Sequence, residues 1–207
     1  MGEEVWSEAV IPLEGALLQA QVDLTQLNLR WAFIGGIAVS VRGEPRTTRD
    51  LDLAVAVASD QEAEGVVGRL LARGYRFEQT PLEQIDLGRI ATVRLVTTRA
   101  EIRGVVVDLM FASSGIEEEI AAGAETLEVL PGVVAPVATT GHLLALKTLA
   151  GRSKDVTDFA TLVQHAKPRD IQEAREALEL IARRGYDRGK NLQIEFAKLL
   201  AGAPGEI

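Results

Sequence analysis

The chain has 207 residues and a formal net charge of −8, and 47% of its residues are hydrophobic, as in an ordinary globular protein. The acidic balance disfavours broad binding to nucleic acid through a basic surface, and the lack of cysteine excludes disulfides, thiolate metal sites and cysteine nucleophiles. No stretch resembles a secretory signal or reaches the ~18 apolar residues of a membrane span, so we expect a cytoplasmic protein without a membrane contact.

The first part of the chain mixes predicted helices and strands. Apolar residues at steps of three and four predict a helix over 5–29, and the apolar run WAFI predicts a strand at 31–34. Two glycines and a short predicted helix, IAVSVR, follow this strand. The alternating segment at 51–57 predicts a second strand, and residues 61–73 predict a helix that ends at Gly74.

Further strands are predicted at 75–79, 90–98 and 104–111, and ETLEVLPGVVAPVA predicts two short strands around a Pro-Gly turn. The mixture of strands and helices predicts an α/β (α+β) fold. Residues 1–138 are expected to form its core, together with the N-terminal helix.

From residue 139 onward the pattern is helical only. Thr139 or Thr140 can cap a helix that runs to Ala150, and later helices are predicted over 154–166, 168–184 and 188–201. Residues 139–207 are therefore expected to form a C-terminal helical region. The two histidines, which are His142 and His165, are expected at the surface.

Two aspartates open the otherwise apolar strand DLDLAVAV. Because strand side chains alternate between faces, Asp50, Asp52 and Ala54 share one face, and the two aspartate Cα atoms lie roughly 6–7 Å apart. Like charges so placed repel each other unless a divalent cation lies between them. Oxygen ligands without cysteine or histidine favour Mg²⁺ or Mn²⁺. The alternative is a surface turn in which one aspartate caps the strand.

A third carboxylate, Asp108, lies inside GVVVDLMF, the most apolar predicted strand. Three carboxylates from neighbouring strands are typical of a site that transfers phosphoryl groups with two metal ions. The alternative for Asp108 is a salt bridge to an arginine.

The segment before the aspartates offers groups that bind phosphate. Gly35 and Gly36 lie between a strand and a helix, where bare backbone amides can approach a phosphate, although such a pair can also be only a tight turn. Arg46 and Arg49 are candidates for phosphate oxygens because guanidinium groups match them well. The alternative for this arginine-rich segment is a solvated loop.

Lys147 lies on or beside the apolar stripe of its predicted helix. Its ammonium either lines a nucleotide cleft or extends past the apolar surface into water. Asp155 and Asp158 share one face of the next helix and can orient Lys147, contact an acceptor or serve only the helix dipole.

The stretch GGIAVSVRGEPRTTRDLDLAV resembles the signature of the minimal nucleotidyltransferase superfamily, which is related to DNA polymerase β, and Asp108 matches its third carboxylate. Together with HLLALKTLAGRSKDVTDFATLV, it is most similar to the AbiEii/AbiGii-type family, which includes toxins of bacterial toxin–antitoxin systems. Many relatives have Gly-Ser in place of Gly35-Gly36, so here a hydroxyl contact to phosphate is absent and only backbone amides remain.

The resemblance implies a mixed central sheet flanked by helices and followed by a C-terminal helical bundle. It also implies transfer of an NMP group from an NTP to an acceptor hydroxyl, with loss of pyrophosphate. The implied metal ligands, for Mg²⁺ or Mn²⁺, and catalytic residues are Asp50, Asp52 and Asp108, with Lys147 as a further catalytic residue. The implied nucleotide-binding residues are Gly35, Gly36, Arg46, Thr47, Arg49, Asp155 and Asp158.

The acceptor and the partners stay open at this level. A toxin would modify tRNA or a protein and can have an antitoxin partner, whereas a resistance-type enzyme would modify a small molecule such as an aminoglycoside. A non-catalytic binding module with the same fold is a rival, and a metal-dependent phosphatase or nuclease is a weaker one. The presence of all three aspartates favours the enzyme.

Overall fold

The computed structural model describes residues 7–78, 84–86 and 88–203 of the chain. The strands are β1 (Trp31–Ile34), β2 (Asp50–Val55), β3 (Tyr75–Phe77), β4 (Gln84–Asp86), β5 (Arg89–Thr97), β6 (Val106–Met110), β7 (Glu125–Leu130) and β8 (Val133–Val137). The α-helices are α1 (Ser7–Gln26), α2 (Gly35–Arg42), α3 (Asp60–Leu71), α4 (Glu117–Ala122), α5 (Thr140–Ala150), α6 (Ser153–His165), α7 (Pro168–Arg183) and α8 (Leu192–Gly202). Within these described ranges, no helix combines the length and apolar character needed to cross a membrane.

The strands form one mixed sheet in the order β3-β5-β6-β2-β1-β8-β7, with β4 paired to β5. The β2–β6 and β1–β8 pairs are parallel, and the other pairs are antiparallel. The helices α5 to α8 follow the last strand. The predicted α/β (α+β) class, a mixed central sheet followed by helices, is confirmed.

The alternation in β2 assigns its side chains to two cores. Leu51, Leu53 and Val55 are buried in the core that includes the inner faces of α1 and α3. Ala54 belongs to the second core, which includes residues of α2 and of α5 to α8. Since Asp52 alternates with these leucines as Ala54 does, it faces the side of the sheet that carries the C-terminal helices.

The predicted elements agree with the observed ones apart from their ends and a few short pieces. Helix α1 ends before residue 29 because Asn28 has φ +54°, and α8 begins after 188 because Arg188 has φ +55°. Neither conformation continues a right-handed helix. Helix α4 and strand β4 are present although no element was predicted there, while residues 5, 6 and 79 of the predicted elements lie outside the described residues.

The surface prediction for the two histidines is wrong for His142. This residue is 8% exposed and lies on the first turn of α5, where Thr139 caps the helix. Helix α7 packs against this turn, and Glu173 of α7 approaches the Nδ1 atom to 3.9 Å. Burial lowers the pKa of His142 below its ordinary value, although Glu173 acts in the opposite direction. His165, at the end of α6, is exposed as expected.

Candidate active site

The register of two parallel strands places two of the predicted carboxylates side by side. In the β2–β6 pair Asp52 is opposite Asp108, and Asp50 is opposite Val106. Opposite residues of a sheet point to the same face, so the Asp52 and Asp108 side chains leave the sheet on the same side. Asp50, two residues before Asp52, lies on that face as well. All three aspartates line one cavity of about 670 Å³.

The Asp52 carboxyl lies in an environment that disfavours its negative charge. Burial raises the pKa of the Asp52 carboxyl above its ordinary value, and the Asp108 carboxylate raises it further. The backbone N–H of Gly36, 3.4 Å from Asp52 Oδ2, together with Lys147 and Lys154, acts in the opposite direction without outweighing them. Asp52 forms no ion pair within the described residues. Ionisation of Asp52 in the folded protein therefore costs free energy, and a cation bound to the carboxylate would reduce this cost.

Asp108 is held by an arginine. Arg94, opposite Asp108 in the antiparallel β5–β6 pair, donates from Nε to Oδ1 at 2.7 Å and from Nη2 to Oδ2 at 2.8 Å. This is the salt bridge that was the alternative prediction for Asp108. It coexists with the predicted pairing of carboxylates, because Asp108 is also opposite Asp52 in the β2–β6 pair.

The two glycines make room for this arrangement. Gly35 is the first residue of α2 and has φ +57°, and a Cβ atom there would lie 1.8 Å from Asp52 Oδ2. A Cβ atom on Gly36 would lie 2.4 Å from Thr48 Oγ1. The Thr48 hydroxyl therefore occupies the space that the serine of a Gly-Ser pair would need, which gives a physical reason for the second glycine in this chain.

We expect Gly35→Ala to reduce both stability and nucleotidyl transfer. An L-residue in the left-handed region costs about 1–2 kcal/mol, and the new Cβ must displace the Asp52 carboxylate. Displacement of a reacting group by about 1 Å can cost a hundredfold in rate, so we expect a loss of that order. Thermal unfolding and a transfer assay measure the two effects.

The control is Gly65→Ala, because a Cβ atom on Gly65, inside α3, meets nothing within 4 Å. This control should keep full activity and should stabilise the helix by up to about 1 kcal/mol. Full activity of Gly35→Ala would contradict a role for this turn in positioning Asp52.

A buried ion network connects α5 and α6 with the arginine-rich segment. Lys147 is 7% exposed, and its Nζ atom donates to Asp158 Oδ2 at 2.7 Å and to Asp155 Oδ1 at 3.2 Å. Arg46 forms an ion pair with the same Asp158, in which Nη2 donates to Oδ2 at 3.0 Å and Nε lies 2.9 Å from Oδ1. Arg152 does the same for Asp155, at 2.7 Å between Nε and Oδ2. The Lys147 ammonium therefore does not extend into water, and both aspartates orient it.

The cavity brings together most of the predicted site residues. Those that line it are Gly35, Gly36, Arg46, Thr47, Arg49, Asp50, Asp52, Asp108, Lys147 and Asp155. Asp158, which is 2% exposed, lies behind this wall and holds Arg46 and Lys147. Its observed contacts are thus with the cations that face the cavity.

Sequence reasoning missed four cations in the cavity wall, which are Arg94, Arg152, Lys154 and Arg188. A pattern in the sequence could have indicated Arg94. Thr92 and Arg94 are polar residues two positions apart in the apolar strand IATVRLVTT, so their side chains share a face. Arg188 follows α7 in a left-handed conformation and donates to the Ser113 carbonyl at 3.0 Å. No local pattern indicated that this loop would reach the cavity.

The three aspartates have the chemistry of a site for a hard divalent cation, since their donors are all carboxylate oxygens. Asp52 supports the fit because its pKa is raised while no cation contacts it within the described residues. The site is not preassembled, however. In the described part of the chain no three acidic or histidine side chains are arranged to hold a metal ion. Both oxygens of Asp108 are instead engaged by Arg94.

Comparison of the fold shows similarity to solved nucleotidyltransferase structures. An antigenic nucleotidyltransferase-like protein from Paracoccidioides brasiliensis matches with a TM-score of 0.50 and 19% identity, over 92% of this chain and 93% of that one. The lincosamide antibiotic adenylyltransferase LnuA, bound to lincomycin, has 14% identity and a TM-score of 0.47, over 74% of this chain and 98% of that one. The nucleotidyltransferase toxin MenT4 from Mycobacterium tuberculosis H37Rv has 14% identity and a TM-score of 0.40, over 93% and 94%.

The sequence comparisons address the family directly. No curated protein matches the chain in sequence. The sequence model of the family described as nucleotidyl transferase AbiEii toxin, type IV toxin–antitoxin system, matches residues 16–204. That range includes every strand and every described site residue, so the chain belongs to the AbiEii family of nucleotidyltransferase toxins.

Proposed function

We propose that this enzyme transfers an NMP group from an NTP to an acceptor hydroxyl, with Mg²⁺ or Mn²⁺ bound by Asp50, Asp52 and Asp108. The observation that supports this most directly is the cross-strand pair of Asp52 and Asp108 in the cavity wall. The Gly36 amide, at the start of α2, lies beside the Asp52 carboxylate. A phosphate-binding helix end and a cation site would thus adjoin each other.

The remaining residues take roles that follow from their positions. The amides of Gly35 and Gly36 would bind phosphate, and Thr47 of the same cavity wall would contact the nucleotide. Arg46, which Asp158 orients, and Arg49 would pair with phosphate oxygens.

In the transfer step, the acceptor oxygen forms a bond to the α-phosphorus, and the bond from that phosphorus to the bridging oxygen of the β-phosphate breaks. The hydroxyl proton passes to Asp108, and pyrophosphate leaves. Lys147 neutralises charge on the departing phosphates. A bound divalent cation would supply charge neutralisation and orientation of the triphosphate.

We further propose that residues 1–138 supply the three carboxylates of the cation site and the glycine turn, while residues 139–207 add four of the seven cations of the cavity wall (Lys147, Arg152, Lys154, Arg188). Lys147 and the aspartates that hold it all come from the helical region. The active site would then form where the two regions meet.

The charge of the cavity supports an anionic acceptor. Its wall contains seven cationic residues (Arg46, Arg49, Arg94, Lys147, Arg152, Lys154, Arg188) and four acidic ones (Asp50, Asp52, Asp108, Asp155), although the whole chain is acidic. This local positive charge favours RNA, such as tRNA, over a polycationic aminoglycoside. The type IV toxin–antitoxin family supports a toxin whose action an antitoxin counteracts.

The test is incubation of the protein with each α-³²P-labelled NTP, Mg²⁺ and a bacterial cell extract, followed by separation of RNA, protein and small molecules. We expect label in RNA. Label in protein or in small molecules would refute the anionic RNA acceptor while preserving the transfer reaction. NTP binding without label in any fraction would contradict the enzyme and favour a binding module.

A further inference from the structure

The Arg94 guanidinium occupies the position beside Asp108 where a bound cation is expected. Along one row of the sheet face, Arg94 of β5, Asp108 of β6 and Asp52 of β2 are directly opposite one another. The guanidinium of Arg94 holds both oxygens of Asp108 at 2.7 and 2.8 Å. One of the three carboxylates is therefore compensated by the protein itself, whereas Asp52 contacts no cation within the described residues.

Arg94 also has a second carboxylate within reach. Its Nε atom lies 3.6 Å from Glu78 Oε2, and both of these side chains are more exposed than that of Asp108. The side-chain exposures are 28% for Arg94, 35% for Glu78 and 9% for Asp108. Because a guanidinium remains charged in proteins, Arg94 releases Asp108 by moving and not by losing a proton, and Glu78 is an anion within its reach.

We propose that Arg94 is a built-in counter-ion that competes with a divalent cation for Asp108, and that Glu78 receives the displaced guanidinium. The inference rests on the proposed function, since it takes Asp108 as a cation ligand. Arg94 is thus a positioning residue that sets how readily the site accepts its cation.

The physical basis is the repulsion between two cations at one carboxylate. A divalent ion bound to Asp108 would lie close to the Arg94 guanidinium, and like charges at contact distance in a partly buried site repel strongly. Movement of the guanidinium towards Glu78 relieves this repulsion. In the absence of NTP the Arg94–Asp108 pair then keeps cation affinity low, and the negative charge of a triphosphate shifts the balance towards the bound cation.

The experiment titrates Mn²⁺ into metal-free, NTP-free protein, with free Mn²⁺ measured by electron paramagnetic resonance. We expect Arg94→Ala to tighten Mn²⁺ binding about tenfold or more. Arg94→Lys keeps the charge but loses the bidentate contact, so the Mn²⁺ affinity of this variant should lie between those of the wild type and Arg94→Ala. Glu78→Gln should act in the opposite direction and weaken binding several-fold, because it removes the alternative partner of Arg94.

The matched control is Arg89→Ala. Arg89 lies on the same strand and pairs with Asp60 at 2.8 Å outside the cavity, so this variant changes the net charge and breaks an ion pair without touching the site. Its Mn²⁺ affinity should equal that of the wild type. Circular dichroism verifies that each variant is folded. If Arg94→Ala is unfolded, Arg94→Gln takes its place in the titration.

Two failures can be told apart with Asp52→Asn. Mn²⁺ binding by the wild type that is unchanged in Asp52→Asn would refute the metal site of the proposed function. Binding that requires Asp52 but is equally tight in wild type and Arg94→Ala would overturn the role of Arg94 and leave the proposed function intact. An equal gain in Arg94→Ala and Arg89→Ala would also overturn it, because net charge alone would then explain the effect.

Discussion

Asp52→Asn is expected to reduce nucleotidyl transfer at least about a thousandfold while it increases the stability of the metal-free protein at pH 7. The loss of activity follows from the proposed role of Asp52 as a cation ligand, since charge stabilisation at such sites is worth several kcal/mol. The gain in stability follows from the raised pKa of Asp52, which burial and the Asp108 carboxylate cause. Asparagine has nearly the same shape but no charge to bury.

The sign of the stability effect can be checked through its pH dependence. Because the pKa of Asp52 is higher in the folded than in the unfolded protein, the folded state binds more protons between the two values. Wild-type stability therefore falls as pH rises through this interval, whereas the asparagine variant lacks this dependence. We therefore expect the asparagine variant to gain stability at pH 7, and this gain should vanish below the ordinary pKa of aspartate.

Asp60→Asn is the matched control for this prediction. Asp60 lies outside the cavity, and its hydrogen bond with Arg89 lowers the pKa of its carboxyl. Asp60→Asn should therefore not stabilise the protein. Urea unfolding at several pH values and the labelling assay measure the two effects. A stability loss in Asp52→Asn at pH 7, or retained transfer activity, would contradict the assignment.

Most of the candidate site residues could be predicted because each group of them lies within one short segment of the sequence. The alternation around Asp50 and Asp52 placed both on one face, and the apolar setting of Asp108 marked it as unusual. The register between β2 and β6 could not be predicted, since strands 56 residues apart can pair in several ways with the same local pattern. That register alone makes Asp52 and Asp108 neighbours.

The partners of the charged residues were the least predictable part. Arg94 reaches Asp108 through a strand pairing, and Arg46 reaches Asp158 across 112 residues of sequence. For the Lys147 ammonium the sequence did not decide between a position in water and a position in the cleft. Its surroundings follow from the turn at Gly151, φ +66°, after which α6 folds back so that its first turns face α5.

Lys147→Met is expected to destabilise the protein by about 3–5 kcal/mol, the usual cost of removing one partner from a buried ion pair. The Lys147 ammonium lies between Asp155 and Asp158, which are 1% and 2% exposed. Methionine fills a similar volume but leaves two buried carboxylates, each with only one arginine partner. For a domain of this size, the melting temperature should fall by roughly 10 °C.

The neighbouring Lys154 offers the control. It is exposed and forms no ion pair within the part of the chain that the structure describes, so Lys154→Met should change stability by less than about 0.5 kcal/mol. The double variant Lys147→Met/Asp158→Asn should recover part of the loss, because it also removes one of the two buried carboxylates that have lost the lysine. A loss under about 1 kcal/mol in Lys147→Met would mean that water, rather than the two aspartates, solvates the ammonium. The two aspartates would then have no part in orienting Lys147 in the cavity wall.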